Sequence, residues 1–135
     1  MSMTEAMLES HPEASVHADS AKLAACIRAC LDCAQACTTC ADACLSEDMV
    51  TELRRCIRNN LSCADVCAAT ASVLSRTPQG DARALTALLE ACATSCALCA
   101  EECERHADMH EHCRTCAQAC RACEQACRDL LGTPS

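Results

Sequence analysis

The apolar positions of this chain recur at alternating steps of three and four, and the residue at nearly all of them is cysteine. Cys26, Cys30, Cys33, Cys37, Cys40 and Cys44 step 4-3-4-3-4. Cys92, Cys96, Cys99 and Cys103 step 4-3-4, and Cys113, Cys116, Cys120, Cys123 and Cys127 step 3-4-3-4. Cys56, Cys63 and Cys67 step 7-4, the same ladder with one rung missing. Such steps line side chains along one stripe of a helix, the a and d positions of a heptad. The pattern predicts four helices, over roughly 20–45, 48–76, 82–106 and 109–131. Alanine, the best helix former, fills many of the places between the cysteines.

The breaks between ladders carry stop and start signals. Ser46 is positioned as an N-cap, with Glu47 and Asp48 in the turn behind it. Thr77, Pro78, Gln79 and Gly80 form a turn, and Asp81 is placed to cap the third helix. Asp108 and Glu111 have capping-box spacing, and Gly132 with Pro134 stops the last helix. Loops this short force antiparallel neighbours. The expected fold is therefore all-α: an antiparallel up-down-up-down four-helix bundle with a cysteine-lined core, spanning 20–135. Residues 1–19 form a separate N-terminal segment. Ser10 to Glu13 has the spacing of a capping box opening a short extra helix, with Met3, Met7, Leu8 and Val16 available to pack on the bundle.

Counting down each helix from the turns stacks the inward residues in layers. Cys44, Met49, His106 and Met109 come first, then Cys40, Leu53, Cys103 and Cys113, then Cys37, Cys56, Cys99 and Cys116. Below lie Cys33, Asn60, Cys96 and Cys120, then Cys30, Cys63, Cys92 and Cys123, then Cys26, Cys67, Leu88 and Cys127. Leu23, Thr70, Leu85 and Leu130 finish the column, assuming equal helix heights. The result is a tube of thiols roughly 27 Å long, closed by leucines and open towards His and Met.

Composition sharpens this picture. The chain has 18 Cys, 27 Ala and no Phe, Tyr or Trp, so its interior must be built mainly from Ala and Cys. The net charge of −8 argues against nucleic acid and against an anionic membrane face. No uncharged stretch approaches the roughly 18 apolar residues of a membrane span. Nothing in the first residues reads as an export signal, so a cytoplasmic location is expected, where thiols stay reduced.

Eighteen thiols in a reducing compartment point to metal. Pairwise disulfides in a thiol/disulfide redox buffer are the alternative, against which the compartment argues. Zinc or another thiophilic ion is a further alternative. A four-thiolate zinc site carries a net charge of about −2, and repeating that along a dry core is costly. Cu(I) is soft and accepts two or three bridging sulfurs. Each Cu(I) that displaces one thiol proton leaves the charge unchanged, which favours copper. No vacant coordination position with an acid/base constellation is evident, so an enzyme is not expected.

Over roughly 20–131 the ladders, together with the segment HADMHEHC at 106–113, resemble the cytosolic copper storage proteins. That resemblance implies a cysteine-lined bundle holding many Cu(I) ions, entry at a His/Met-bearing end, and assembly as a homotetramer. It also suggests exchange of copper with a chaperone or a small-molecule thiol. All eighteen cysteines are then candidate ligands. His106 and Met109, on the inward stripe at the open end, join them as ligands or are simply solvated turn residues. His110 is a further candidate, whereas His112 is expected to face outward and His11 and His17 to lie on the surface. Asn60 is either a carbonyl ligand or a hydrogen-bond partner inside the column. A second stripe, Ile27, Leu31, Ala34, Ala41 and Leu45 with Ile57, Leu61 and Ala64, packs neighbouring helices or forms a subunit interface.

Overall fold

The computed structural model describes residues 2–14, 20–76 and 81–132. Five α-helices make up most of it: α1 Met3–Ser10, α2 Ser20–Leu45, α3 Arg54–Leu74, α4 Ala82–Arg105 and α5 Glu111–Leu131. A 3-10 helix, Val50–Leu53, leads into α3. The turn expected at 77–80, Val16, His17 and Pro134 lie outside the described residues.

Helices α2 to α5 close a ring, α2 against α3 and α5, and α4 against α3 and α5. Sulfur contacts give the directions. Rising numbers in α2 meet falling numbers in α5, as in Cys26–Cys127 and Cys40–Cys113. Along the diagonal, α2 and α4 rise together, through Cys30–Cys92, Cys33–Cys96 and Cys37–Cys99. Neighbours are antiparallel, and the expected up-down-up-down bundle is the fold. Small residues permit the close packing: Ala24, Ala41, Ala64, Ala71, Ala93, Ala100 and Ala117 are buried around the cysteines.

Some helix ends differ from the expectation. Asp81 does cap α4, its Oδ1 accepting from the Arg83 backbone N–H at 2.8 Å. Ser46 instead donates back to the Asp42 carbonyl, and α3 begins only at Arg54, without a side-chain cap. No capping box forms at Asp108; His110 occupies the N-cap of α5 without a side-chain bond, and Asp108 pairs with Arg114. Ser10 ends α1 rather than opening a helix, and α1 is capped by Ser2, whose Oγ accepts from the Glu5 N–H at 3.1 Å. Of the residues expected to dock this segment, Leu8 is buried while Met3 and Met7 are exposed.

The second break therefore takes up more chain than a count from Ser46 allows, and α3 slips by one rung. Cys63 meets Cys33 and Cys96, not the Cys30 layer, and Cys67 meets Cys92 and Cys123. Cys56 pairs with Cys103, and Leu53 becomes the fully buried top of α3. Asn60 accordingly sits with Cys99 and Cys116. The other three helices keep the expected register. The far end is closed by Leu23, Leu74 and Leu89; Leu89 stands where Leu88 was expected, and Leu85, Leu88 and Leu130 are only half-buried.

The second apolar stripe divides. Ile27, Ala41 and Ala64 are buried between helices, Ala34 and Ile57 are half-buried, and Leu31, Leu45 and Leu61 face outward. By length and composition α4 is apolar enough to cross a membrane, with a mean hydropathy of 1.4. Its cysteine stripe nonetheless turns into the shared core.

Candidate metal centre

All eighteen cysteines are free thiols, and none is more than 1% exposed. This follows from the heptad. Each ladder faces the axis of its bundle, where four helices bring their thiols to one line. Neighbouring sulfurs lie 3.6 to 4.0 Å apart, as in Cys37–Cys120, Cys67–Cys96 and Cys30–Cys92. These are hydrogen-bonding contacts between unlinked thiols, so the pairwise crosslinks of the disulfide alternative are not present.

The sulfurs gather in quartets whose members all lie within 4.8 Å of one another. Cys30, Cys92, Cys123 and Cys127 make one; Cys33, Cys63, Cys67 and Cys96 another; Cys37, Cys99, Cys116 and Cys120 a third; Cys40, Cys44, Cys56 and Cys113 a fourth. Cys33, Cys37, Cys63 and Cys120 form a further quartet that takes members from two of these. A sulfur held in common can only serve both groups by bridging.

Hydrogen bonding and burial pull the thiols in different directions. Cys26 is lowered to about 5, first by its bond with Cys127 and then by that with Cys30. Cys123 is lowered to about 7, again with Cys127 as the first cause. Cys44, at the end of its ladder, is pushed up to about 11, chiefly by burial. Thiols that accept hydrogen bonds are easier to ionise, and those that donate are harder. Cys63 is held far below the ordinary thiol range, with Cys120 as the first cause, while Cys120 is driven far above it, first by Cys116.

Asn60 is fully buried inside this column. Its Oδ1 accepts from Cys99 at 3.1 Å, Cys116 at 3.3 Å and Cys103 at 3.6 Å, and its Nδ2 donates to Cys56 Sγ at 3.7 Å. Here it is a hydrogen-bond partner of thiols.

At the open end the imidazoles are arranged differently from the heptad count. His112, expected to face outward, has Nδ1 3.5 Å from Cys40 Sγ and 3.6 Å from Cys113 Sγ. Its Nε2 lies 2.8 Å from Glu47 Oε2. With Nε2–H donating to the carboxylate, Nδ1 is an acceptor aimed at the two sulfurs. That bond is the first cause that holds the Glu47 carboxyl below the ordinary carboxylate range, against the opposing pull of burial. His110 stacks on His112 with ring centroids 5.3 Å apart. It is buried, with Nδ1 3.2 Å from the same Glu47 oxygen and Nε2 without a partner. His106 turns to Glu102, Nε2 to Oε2 3.0 Å. Met109, expected on the inward stripe, is 64% exposed. The reason is local: α4 ends at Arg105 and α5 starts at Glu111, so helical spacing does not carry across 106–110.

The comparisons with known proteins agree with this geometry. A family model described as copper storage protein matches residues 19–132. Among solved structures, the copper storage protein Ccsp from Streptomyces lividans, loaded with 10 copper equivalents, is 57% identical, with a TM-score of 0.92 over 96% of this chain and 98% of that one. A second structure, a cytosolic copper storage protein from Streptomyces lividans with five coppers, is 61% identical, with a TM-score of 0.82 over 84% of this chain and 95% of that one. The Cu(I)-bound copper storage protein BsCsp3, from Bacillus subtilis, is 37% identical, with a TM-score of 0.71 over 80% of this chain and 96% of that one. A search of curated proteins gives no match. A buried column of free thiols and a family match over nearly its whole length lead to one assignment: the chain belongs to the copper storage protein family.

Proposed function

We propose that this protein stores and sequesters many Cu(I) ions in the cytosol, bound by the thiolates along the bundle axis. The observation that carries the reading is the sharing of sulfurs between adjacent quartets. Bridging thiolates suit a soft monovalent ion that takes two or three sulfurs. Each uptake is R–SH + Cu⁺ → R–S–Cu + H⁺, so the loaded column stays near neutral. Zinc faces a heavier cost. The four quartets that have no member in common would each gain a net charge of about −2 with Zn²⁺ in a low-dielectric interior.

All eighteen cysteines act as ligands in this reading. At the mouth, the unpartnered Nε2 of buried His110 receives ions, and His112 stands between it and the sulfurs of Cys40 and Cys113. His106 and Met109 make outer contacts at the rim. The protein is a store and not a catalyst, and it exchanges copper with a chaperone or a small-molecule thiol. Leu31, Leu45 and Leu61 supply an outward apolar surface for a second copy of the chain, in a homotetramer. Light scattering on the apo protein should give four chain masses; one chain mass removes the assembly.

Titration of the fully reduced protein with Cu(I) against a chromophoric Cu(I) chelator tests the storage reading. Uptake should continue to about one ion per thiol and weaken as pH falls, because protons compete for the same sulfurs. Saturation near four ions, with Zn²⁺ bound as tightly, would favour the zinc reading instead.

A further inference from the structure

Among the described residues, one group of soft donors lies apart from the thiol column. Met3, Met7 and His11 line a surface groove together with Ile27 and Leu31 of α2 and with Ser75, just past α3. Met3 and Met7 stand four residues apart on α1, so their side chains share a face. They are 79% and 65% exposed, and Leu8 is the buried residue of this helix. The thioethers therefore do not serve to dock α1. His11 follows at the next step of four, as the C-cap residue. The groove lies at the leucine-closed end of the bundle, away from the mouth: Ile27 and Leu31 each follow a cysteine of the deepest layers, Cys26 and Cys30.

Each of these groups has a lone pair to offer a soft metal. Thioether sulfur selects Cu(I), and imidazole also suits copper. The lone pair of His11 Nδ1 faces the Glu13 backbone N–H at 3.0 Å. That bond is exposed, so water takes over the N–H when the ring turns to a metal. Charge favours a cation here: α1 carries Glu5 and Glu9 and no basic residue. Arg28 also lines the groove, but its charge is met by Asp32 at 3.4 Å. All three donors are neutral, so an ion enters by simple addition, two thioethers and one imidazole closing on Cu⁺ with no proton leaving. In the column, by contrast, each ion displaces a thiol proton.

We propose that Met3, Met7 and His11 form a second Cu(I) site, exchangeable and at the surface, at the end of the bundle opposite the mouth. Neutral donors in water hold a cation less tightly than buried anionic thiolates do. The site therefore fills after the column and empties before it. It draws on no cysteine, so it stands whether or not the column stores copper.

The test follows the methyl signals of the five methionines by NMR while Cu(I) is added, without oxygen, to the reduced full chain. The titration runs at about pH 7.5, where imidazole is neutral, continues past the capacity of the thiols, and records proton release alongside. The Met3 and Met7 signals should move together after the column is full. One further ion per chain should bind at that stage with no further proton released. A Met3→Leu/Met7→Leu variant and a His11→Gln variant should each lose that ion while keeping the thiol capacity and the helical circular dichroism of the wild type. Met3 and Met7 signals that stay fixed, movement confined to Met109 at the mouth, or a last ion that persists in either folded variant would overturn the inference. Should a variant not fold, the wild-type methyl signals decide alone. A chain whose thiols take up little copper while the Met3 and Met7 signals still move would keep this site and lose the storage reading.

Discussion

Arg121 shows what single polar residues contribute around a core that holds almost none. On α5, it reaches Glu104 of α4 through Nη2 at 2.9 Å and Nε at 3.1 Å, and Glu124 on its own helix at 3.0 Å. The Arg121 bond is the first cause holding the Glu104 carboxyl low. At Glu124, burial is the largest influence and pushes upward, but Arg121 and Arg128 together outweigh it and the carboxyl also lies low. Arg121 and Glu104 are each about half exposed (40% and 47%), so solvent screening limits their pair to about 1 kcal/mol or less. A depressed carboxylate contributes stability that is full above its unfolded pKa and lost as pH falls through its folded one. Arg121→Ala should therefore lower the Tm of the reduced apo protein by about 2–4 °C at pH 7. The gap should close below the ordinary carboxylate range. An equal gap at both pH values would assign the effect to lost packing of the arginine stem.

At the same scale, the cysteines were legible and the imidazoles were not. A thiol at every third or fourth position can reach the axis only from one stripe, so spacing alone places it. His112 lies beside Cys113 in sequence, in the first turn of α5, and its direction is set by a partner distant in the chain. Glu47, in the turn after α2, takes Nε2 and thereby turns Nδ1 towards Cys40 and Cys113. No periodicity encodes a contact between two turns. The HADMHEHC segment signalled that end of the molecule without saying which imidazole meets sulfur. Asn60 was legible as an inward residue, but its three acceptor bonds depend on the register of α3.

That register belongs to the scale of the element. The ends of α2 and α4 follow the expectation closely because the ladder stops where a turn begins. The start of α3 does not, since the acidic stretch after Ser46 gives a turn and a 3-10 helix before α-helical geometry resumes at Arg54. A helix delayed by several residues shifts every side chain on it past its neighbours. Because cysteines recur every three or four residues, the column accommodates a slip of one rung with sulfur still facing sulfur. The same slip decides that Leu53, and not Met49, is the fully buried residue ahead of α3 at the mouth end, and that Leu74 is buried at the other. Sequence spacing thus defines each stripe well and the offset between stripes poorly.

At the scale of the whole molecule, the bundle substitutes one reactive residue for the usual mixture of large aliphatic side chains. Ala brings the backbones close, leucines close one end, and the surface carries the net charge of −8. Such a core can pack as neutral thiols and can also exchange each proton for a soft cation without gathering charge. On the storage reading the two states share one backbone, and the store needs no folding step to accept its cargo. On that reading, too, copper lies on the bundle axis, bridged by these sulfurs. An anomalous-scattering map, collected at the copper edge from crystals of the Cu(I)-loaded protein, tests this most directly. A file of copper peaks is expected between α2, α3, α4 and α5, from the level of Cys44 to that of Cys26, each within bonding distance of cysteine sulfur. Copper peaks confined to surface histidines and methionines, with the axis empty of metal, would contradict it.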